Sequence, residues 1–134
     1  MALKVKNYVT SYGVTYDELY YRIELVSYDN TTKEFQYGGA AYVSEEAAHN
    51  GTQPIPGDLQ FGDCIYNSES IKSDNLIEAA YKRIKYETSL IEGKTDEEIA
   101  AHNQQRVQEC MALNIPPTDV WKSDYRAFIG AEDC

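Results

Sequence analysis

The chain has 134 residues, with 22 acidic and 12 basic side chains and a formal net charge of −10. Its length suits one compact domain over residues 1–134. The acidic balance argues against nucleic acid and anionic membranes as partners, because both repel a net acidic protein.

Residues 1–66 are predicted to be mainly β structure. Aromatic and β-branched side chains are frequent there, and one segment has an apolar side chain at every second position, as a strand with one buried face requires. Those positions are Leu19, Tyr21, Ile23 and Leu25. The predicted strands cover residues 5–12, 19–26, 34–43 and 59–66, and the first three form an antiparallel meander.

Polar and glycine-containing segments mark the ends and interruptions of these strands. Residues 29–32 have turn chemistry, because Asp and Asn side chains bond nearby backbone groups. Gly38 and Gly39 indicate a bulge or a bend inside the third strand. Residues 44–48 are predicted to form one or two helical turns with Ser44 as the N-cap.

A main helix is predicted over residues 75–92. Asn75 and Glu78 have the spacing of a capping box, and Gly93 supplies the end. The apolar stripe of this helix is Ile77, Ala80 or Tyr81, Ile84, Thr88 and Ile91. Such a stripe at helical spacing predicts a helix packed on the sheet.

A second helix is predicted over residues 95–113, opened by the capping box of Thr95 and Glu98. Its thin apolar stripe is typical of a surface helix and consists of Ile99, Val107, Cys110 and Met111. We expect the Pro116–Pro117 pair to end this helix, and residues 114–134 to form an aromatic tail. The sequence therefore predicts an α+β fold, with a small antiparallel sheet of three to five strands, one main helix packed on it and a second surface helix.

The composition also bears on compartment. Lys4 and Lys6 stand where a signal peptide would need an apolar run, and no window reaches the ~20 apolar residues of a membrane span. The chain has three cysteines, Cys64, Cys110 and Cys134. Because an odd number at wide spacing is not a disulfide framework, we expect reduced thiols and a protein made in the cytoplasm.

Motifs for catalysis or cofactor binding are not found, so a non-enzymatic protein without metal or cofactor is predicted. Neither Cys-x-x-Cys nor His-x-x-x-His spacing occurs, and there is no Gly-x-Ser-x-Gly elbow or phosphate-binding glycine loop. His102 and Cys110 are about 12 Å apart along one helix, too far to share an ion. Glu45–Glu46 and Glu97–Glu98 are better explained by the helix dipole than by acid–base chemistry.

Tyrosine is the informative residue type. Eight of the 12 tyrosines occur within the first 42 residues. Because neighbouring strand residues point to opposite faces, Tyr20 and Tyr21 cannot be buried on the same side. One face therefore presents tyrosine to solvent or to a partner, unless cross-strand tyrosine pairs only stabilise the sheet. The candidate interface residues are Tyr8, Tyr12, Tyr20, Tyr28, Tyr37, Tyr42, Trp121 and Tyr125.

Four segments together resemble small bacteriophage structural proteins, often associated with the tail. They are YYRIELV at 20–26, YVSEEAA at 42–48, NLIEAAY at 75–81 with Ile84 and Lys85, and FIGAEDC at 128–134. In that group an antiparallel N-terminal region leads to one helix and a short acidic ending, whereas this chain has a longer stretch between Lys85 and Phe128. The resemblance implies a virion component without catalysis, assembled in the bacterial host cytoplasm.

The leading functional hypothesis is a tail or baseplate protein that binds other virion proteins and its own copies, with no nucleic acid or membrane as partner. A capsid decoration protein would have a similar sequence. A hypothesis from another functional class is an acidic inhibitor or regulatory protein that binds the basic site of a partner. The weakest hypothesis is a small hydrolase that uses a Cys and His pair.

Overall fold

The protein is described by a computed structural model that covers residues 2–56, 59–60, 62–65 and 75–134. The predicted α+β fold is confirmed, since five antiparallel strands are accompanied by helices. The elements are β1 (Leu3–Val9), β2 (Thr15–Asp29), β3 (Glu34–Tyr42), α1 (Glu45–His49), β4 (Gly62–Ile65), α2 (Leu76–Ile91), α3 (Asp96–Ala112), a 3₁₀ helix (Ser123–Phe128) and β5 (Glu132–Asp133). The strand order in the sheet is β4-β3-β2-β1-β5.

Contacts divide the chain into two compact units. The first comprises the described residues up to Lys82 together with Gly130–Cys134, and the second comprises Arg83–Ile129. The first therefore holds the sheet and the start of α2, and the second holds the end of α2, α3 and the 3₁₀ helix. A single domain over residues 1–134 stays a prediction.

A β-bulge interrupts the pairing of β2 with β3 at the two glycines. Ile23 pairs with Gly39 and Leu25 with Gly38, so Glu24 is an extra residue on β2. An irregularity at the glycine pair was thus correctly predicted, but the extra residue lies on β2 and not inside the third strand. At the bulge the backbone N–H of Ile23 donates to the hydroxyl of Tyr81, 2.8 Å away, which attaches α2 to β2.

The bulge reverses the alternation of side chains along β2. Leu19, Tyr21 and Ile23 are buried, but Leu25 is 62% exposed. The prediction that Leu25 shares their buried face is wrong, because one inserted residue moves every later side chain to the opposite face.

Both faces of the sheet are covered where Tyr20 and Tyr21 lie, and both residues are buried. Tyr20 belongs to a buried cluster with Ala2, Ala40, Tyr42 and Ala48, of which Ala48 comes from α1. The expectation that one face presents its tyrosines to solvent is therefore wrong at this point, because α1 contributes to covering that face.

The helix starts follow their predicted caps. Ser44 accepts a hydrogen bond from the Ala47 N–H, Asn75 from the Glu78 N–H and Thr95 from the Glu98 N–H. Each side-chain oxygen satisfies a backbone donor that has no partner within the first helical turn.

The end of α3 agrees with the predicted boundary, but its cause differs from the expected proline pair. The helix stops at Ala112, and Asn114 has a φ of 56°. The Ile115 N–H donates to the Cys110 carbonyl, so a left-handed asparagine ends the helix before the prolines at 116 and 117 are reached. Within the predicted stripes, Ile77 and Met111 are exposed rather than buried.

The tail predicted over residues 114–134 contains two elements that the sequence did not indicate. A 3₁₀ helix spans Ser123–Phe128, and β5 pairs with β1 at the edge of the sheet. Of the strand predicted over 59–66, β4 occupies Gly62–Ile65, and residues 61 and 66 lie outside the described residues. No helix in the described parts of the chain combines the length and the apolar character needed to cross a bilayer.

Candidate protein interaction site

Four of the eight candidate interface residues are buried, and the expectation that they are available to a partner is corrected. They are Tyr20, Tyr37, Tyr42 and Tyr125. The rings of Tyr20, Tyr37 and Tyr42 belong to the core on the sheet, which is the alternative explanation for a tyrosine-rich sheet, and Tyr125 is buried on the 3₁₀ helix. The other four candidates, Tyr8, Tyr12, Tyr28 and Trp121, are exposed or half-buried.

The buried Tyr42 has polar partners for its hydroxyl and a cation beside its ring. Its hydroxyl donates to Glu24 Oε1 at 2.5 Å, and the Arg22 guanidinium carbon lies 5.2 Å from the centre of its ring. The hydrogen bond to Glu24 and then burial raise the pKa of the Tyr42 phenol. Arg22 also donates to both oxygens of Glu24, so the three side chains form a closed polar cluster at the bulge.

Trp121 is anchored inside the second unit. Its ring stacks on His102, with centroids 3.8 Å apart and planes 8° from parallel. The Asn103 side chain accepts from the Trp121 N–H at 2.6 Å and donates to the Trp121 carbonyl at 2.9 Å. Trp121 therefore attaches the segment after α3 back to α3. Tyr125 packs edge-on against Phe128 in the same unit.

Tyr28 lies at the far end of the β2–β3 hairpin. It is half-buried and lines a shallow cavity of about 490 Å³ with Ser27, Asp29, Asn30, Glu34 and Gln36. The predicted turn that follows is confirmed: Asp29 Oδ1 accepts from the backbone N–H groups of Thr31 and Thr32. These two bonds lower the pKa of the Asp29 carboxyl.

Tyr8 and Tyr12 belong to the β1–β2 hairpin, where Tyr8 pairs with Tyr16 across the strands. The turn is closed by backbone bonds from Thr10 N–H to Val14 O and from Gly13 N–H to Thr10 O. The Val14 N–H also donates to Thr10 Oγ1 at 2.9 Å. Gly13 has a φ of 85°, a backbone conformation that is unfavourable for residues with a Cβ. The turn is thus closed by three hydrogen bonds.

Three apolar side chains are exposed at this turn. Val9 is 60%, Tyr12 51% and Val14 43% exposed. Residues 7–16 contain no charged side chain, although a quarter of the chain is charged. We call residues 9–14 the hairpin tip. Tyr12 was among the predicted interface residues and Val9 and Val14 were not, although the charge-free run of residues around them was a signal for all three.

The base of the hairpin carries paired charges. Lys4 lies 3.9 Å from Glu18, and Lys6 lies 2.7 Å from Glu132. The hydrogen bond and charge of Glu132 raise the pKa of Lys6, and those of Lys6 lower the pKa of Glu132. The hairpin is therefore close to neutral in an otherwise acidic protein.

The described residues contain no group of three or more His, Cys, Asp and Glu side chains that could hold a metal ion. Cys64, Cys110 and Cys134, expected as reduced thiols, are free of disulfides. Comparison of the chain with protein-family models, with curated proteins and with solved structures finds no match.

Proposed function

We propose that this chain is a non-enzymatic structural protein of a bacteriophage virion, a tail or baseplate component, that binds its own copies and other virion proteins through the hairpin tip. The observation that supports binding is the exposure of Val9, Tyr12 and Val14 in a charge-free turn. The virion assignment rests on the resemblance of four segments to phage structural proteins.

The physical case for a protein partner is the apolar character of the tip. Complete burial of a fully exposed Val side chain contributes roughly 1.5–3 kcal/mol, and the half-exposed valines of the tip would contribute a part of that. A tyrosine ring is a frequent energetic centre of protein interfaces. The three hydrogen bonds of the turn already order Thr10 and Val14, so little conformational entropy is lost when a partner binds.

Charge determines where a second copy can approach. Two copies with a net charge of −10 repel each other over most of their surfaces. Repulsion is weakest at the hairpin, where the tip is uncharged and the basic residues at its base are paired with acids. A contact there is apolar, so it strengthens when salt screens the remaining repulsion.

The two rival hypotheses make different demands. A capsid decoration protein would use the same apolar contact at another place in the particle. An acidic inhibitor would instead use its charged surface, and its complex with a basic partner would weaken as salt is added.

The direct test is mass spectrometry of particles purified from the phage that encodes this chain. We expect the protein at a fixed stoichiometry, and electron microscopy of labelled particles to place it at the tail. A chain with Val9→Ser and Tyr12→Ser should be excluded from particles, whereas the matched control Thr15→Ser on the same hairpin should be incorporated. Absence of the wild-type chain from particles would overturn the proposal.

A further inference from the structure

The last five residues, Gly130–Cys134, form a C-terminal arm that belongs to the first unit although it follows the second in the chain. Within the arm, β5 pairs with the start of β1, Asp133 opposite Leu3 and Glu132 opposite Lys4. Ala2 and Cys134 exchange two backbone hydrogen bonds of 3.1 and 3.0 Å. The arm thus completes one edge of the sheet.

Backbone hydrogen bonds pair the arm with β1. The side chains of Glu132, Asp133 and Cys134 are exposed, and the ion pair of Glu132 with Lys6 is exposed on both sides. An exposed pair of this kind contributes little to stability. Backbone pairing with β1 is the same whichever copy supplies the arm.

The connection to the arm has the properties of a hinge. Gly130 has a φ of 77°, and no atom lies within 4 Å of the position that a Cβ would take. A glycine with open space around it can change its backbone angles without a clash, and hinges are built from such positions.

We propose that the C-terminal arm is exchanged between copies of this chain, so that β5 of one copy pairs with β1 of another. The inference deepens the proposed function, on which it rests, by naming a second copy as the partner of the β1 edge. Exchange of an identical element keeps every hydrogen bond of the closed chain, and it adds a strand to a sheet edge.

Charge complementarity favours this occupant. The accepting edge of β1 carries Lys4 and Lys6, and the arm carries Glu132 and Asp133. In a protein whose copies otherwise repel each other, an acidic arm meets basic side chains at this edge. The closed form is favoured in dilute solution by the high effective concentration of a tethered arm, so exchange grows as copies are concentrated in an assembly.

The test uses the native Cys134 and the substitution Ala2→Cys, in a Cys64→Ser background. Hydrogen-bonded residues of antiparallel strands have Cα atoms about 5.5 Å apart, within reach of a disulfide. Heavy-isotope-labelled and unlabelled chains are mixed in equal amounts, incubated, oxidised with copper phenanthroline and digested. Mass spectrometry then shows whether residues 2 and 134 are joined within one copy or between two.

We expect cross-links between labelled and unlabelled chains, rising as the protein concentration approaches the millimolar range. The matched control replaces Ala2→Cys by Thr52→Cys, at an exposed position outside β1 and the arm, and should give no such increase. Cross-links within single copies at every concentration would overturn the proposal. Because Ala2 is buried, the pair Lys4→Cys and Glu132→Cys with Cys134→Ser repeats the measurement at partly exposed positions.

The two proposals can fail separately. The cross-link between residues 2 and 134 reports only on the arm. It is therefore also measured in chains that carry Tyr12→Ser, in which the tip contact is weakened. Mixed cross-links that persist there, together with tip variants that still enter particles, would leave arm exchange standing and remove the tip as the contact. If incorporation into particles depends on the tip but no mixed cross-link forms, the tip would remain as the contact and arm exchange would be removed.

Discussion

Two buried tyrosine hydroxyls are bonded to groups of the sheet. Tyr42 reaches the carboxylate of Glu24, and Tyr81 reaches the backbone N–H of Ile23. Both partners lie at the bulge of β2, where the regular ladder is interrupted. A single irregularity of the strand thereby gives two aromatic side chains polar partners, which their burial requires.

Tyr81→Phe tests the more buried of these contacts. The substitution keeps the ring but removes the acceptor of the Ile23 N–H, and an unsatisfied buried donor costs about 1–3 kcal/mol. We expect the free energy of unfolding, measured with urea, to fall by that amount. Tyr86→Phe on the exposed side of the same helix is the control and should stay within about 0.5 kcal/mol of wild type. An equal effect of both substitutions would contradict the role given to Tyr81.

At the scale of single residues, the burial of the tyrosines could not be predicted from the sequence. A period of two places Tyr20 and Tyr21 on opposite faces, yet it contains no information about what covers each face. The cover on the side of Tyr20 includes Ala48 of α1, a helix that follows the next strand, β3. Exposure of the neighbouring residues therefore could not be predicted from β2 alone.

Among the elements, the β2–β3 pair depends on close approach at Gly39. A Cβ there would lie 2.6 Å from both the Arg22 carbonyl oxygen and the Tyr21 hydroxyl. We expect Gly39→Ala to lower the free energy of unfolding by about 1–3 kcal/mol through overpacking. Gly38→Ala is the matched control, since nothing lies within 4 Å of its Cβ position. A larger loss from Gly38→Ala than from Gly39→Ala in urea unfolding would refute this account of the bulge.

The attachment of the Trp121 segment to α3 can be followed by fluorescence, because Trp121 is the only tryptophan. Asn103→Ala removes the two hydrogen bonds to the Trp121 backbone. We expect a red-shifted emission as the ring leaves His102 and gains water, with a loss of about 1–3 kcal/mol in unfolding free energy. Gln104→Ala, at an exposed position on the same helix, should leave the spectrum unchanged. An unshifted spectrum for Asn103→Ala would show that stacking alone holds the ring.

Element starts were predictable because capping is local. Ser44, Asn75 and Thr95 each bond a backbone N–H three residues ahead, within one turn of helix. The ends of helices, and the elements formed by residues after α3, were less predictable from the sequence. The end of α3 depends on a left-handed Asn114, and β5 exists only because β1, more than 120 residues earlier, offers an edge. Long-range pairing leaves no local pattern in the sequence.

For the whole molecule, charge and aromatic content separate along the chain. The first 42 residues hold eight of the 12 tyrosines and only five of the 22 acidic side chains. Most of the described tyrosines outside the hairpin tip are buried or half-buried, so the aromatic contact face, which stays a prediction, is proposed at the tip. The acidic remainder repels other copies, so the uncharged tip is the place where contact is least opposed.

The most direct test of the central claim is sedimentation of the wild-type chain and of the Val9→Ser/Tyr12→Ser variant at low and high salt. We predict a weight-average mass that rises with salt for the wild type and is lower for the variant at high salt, because the contact is apolar and the repulsion is screened. Circular dichroism should show both chains folded. Equal masses for the two chains, or wild-type association that weakens as salt is added, would contradict the hairpin tip as a binding surface.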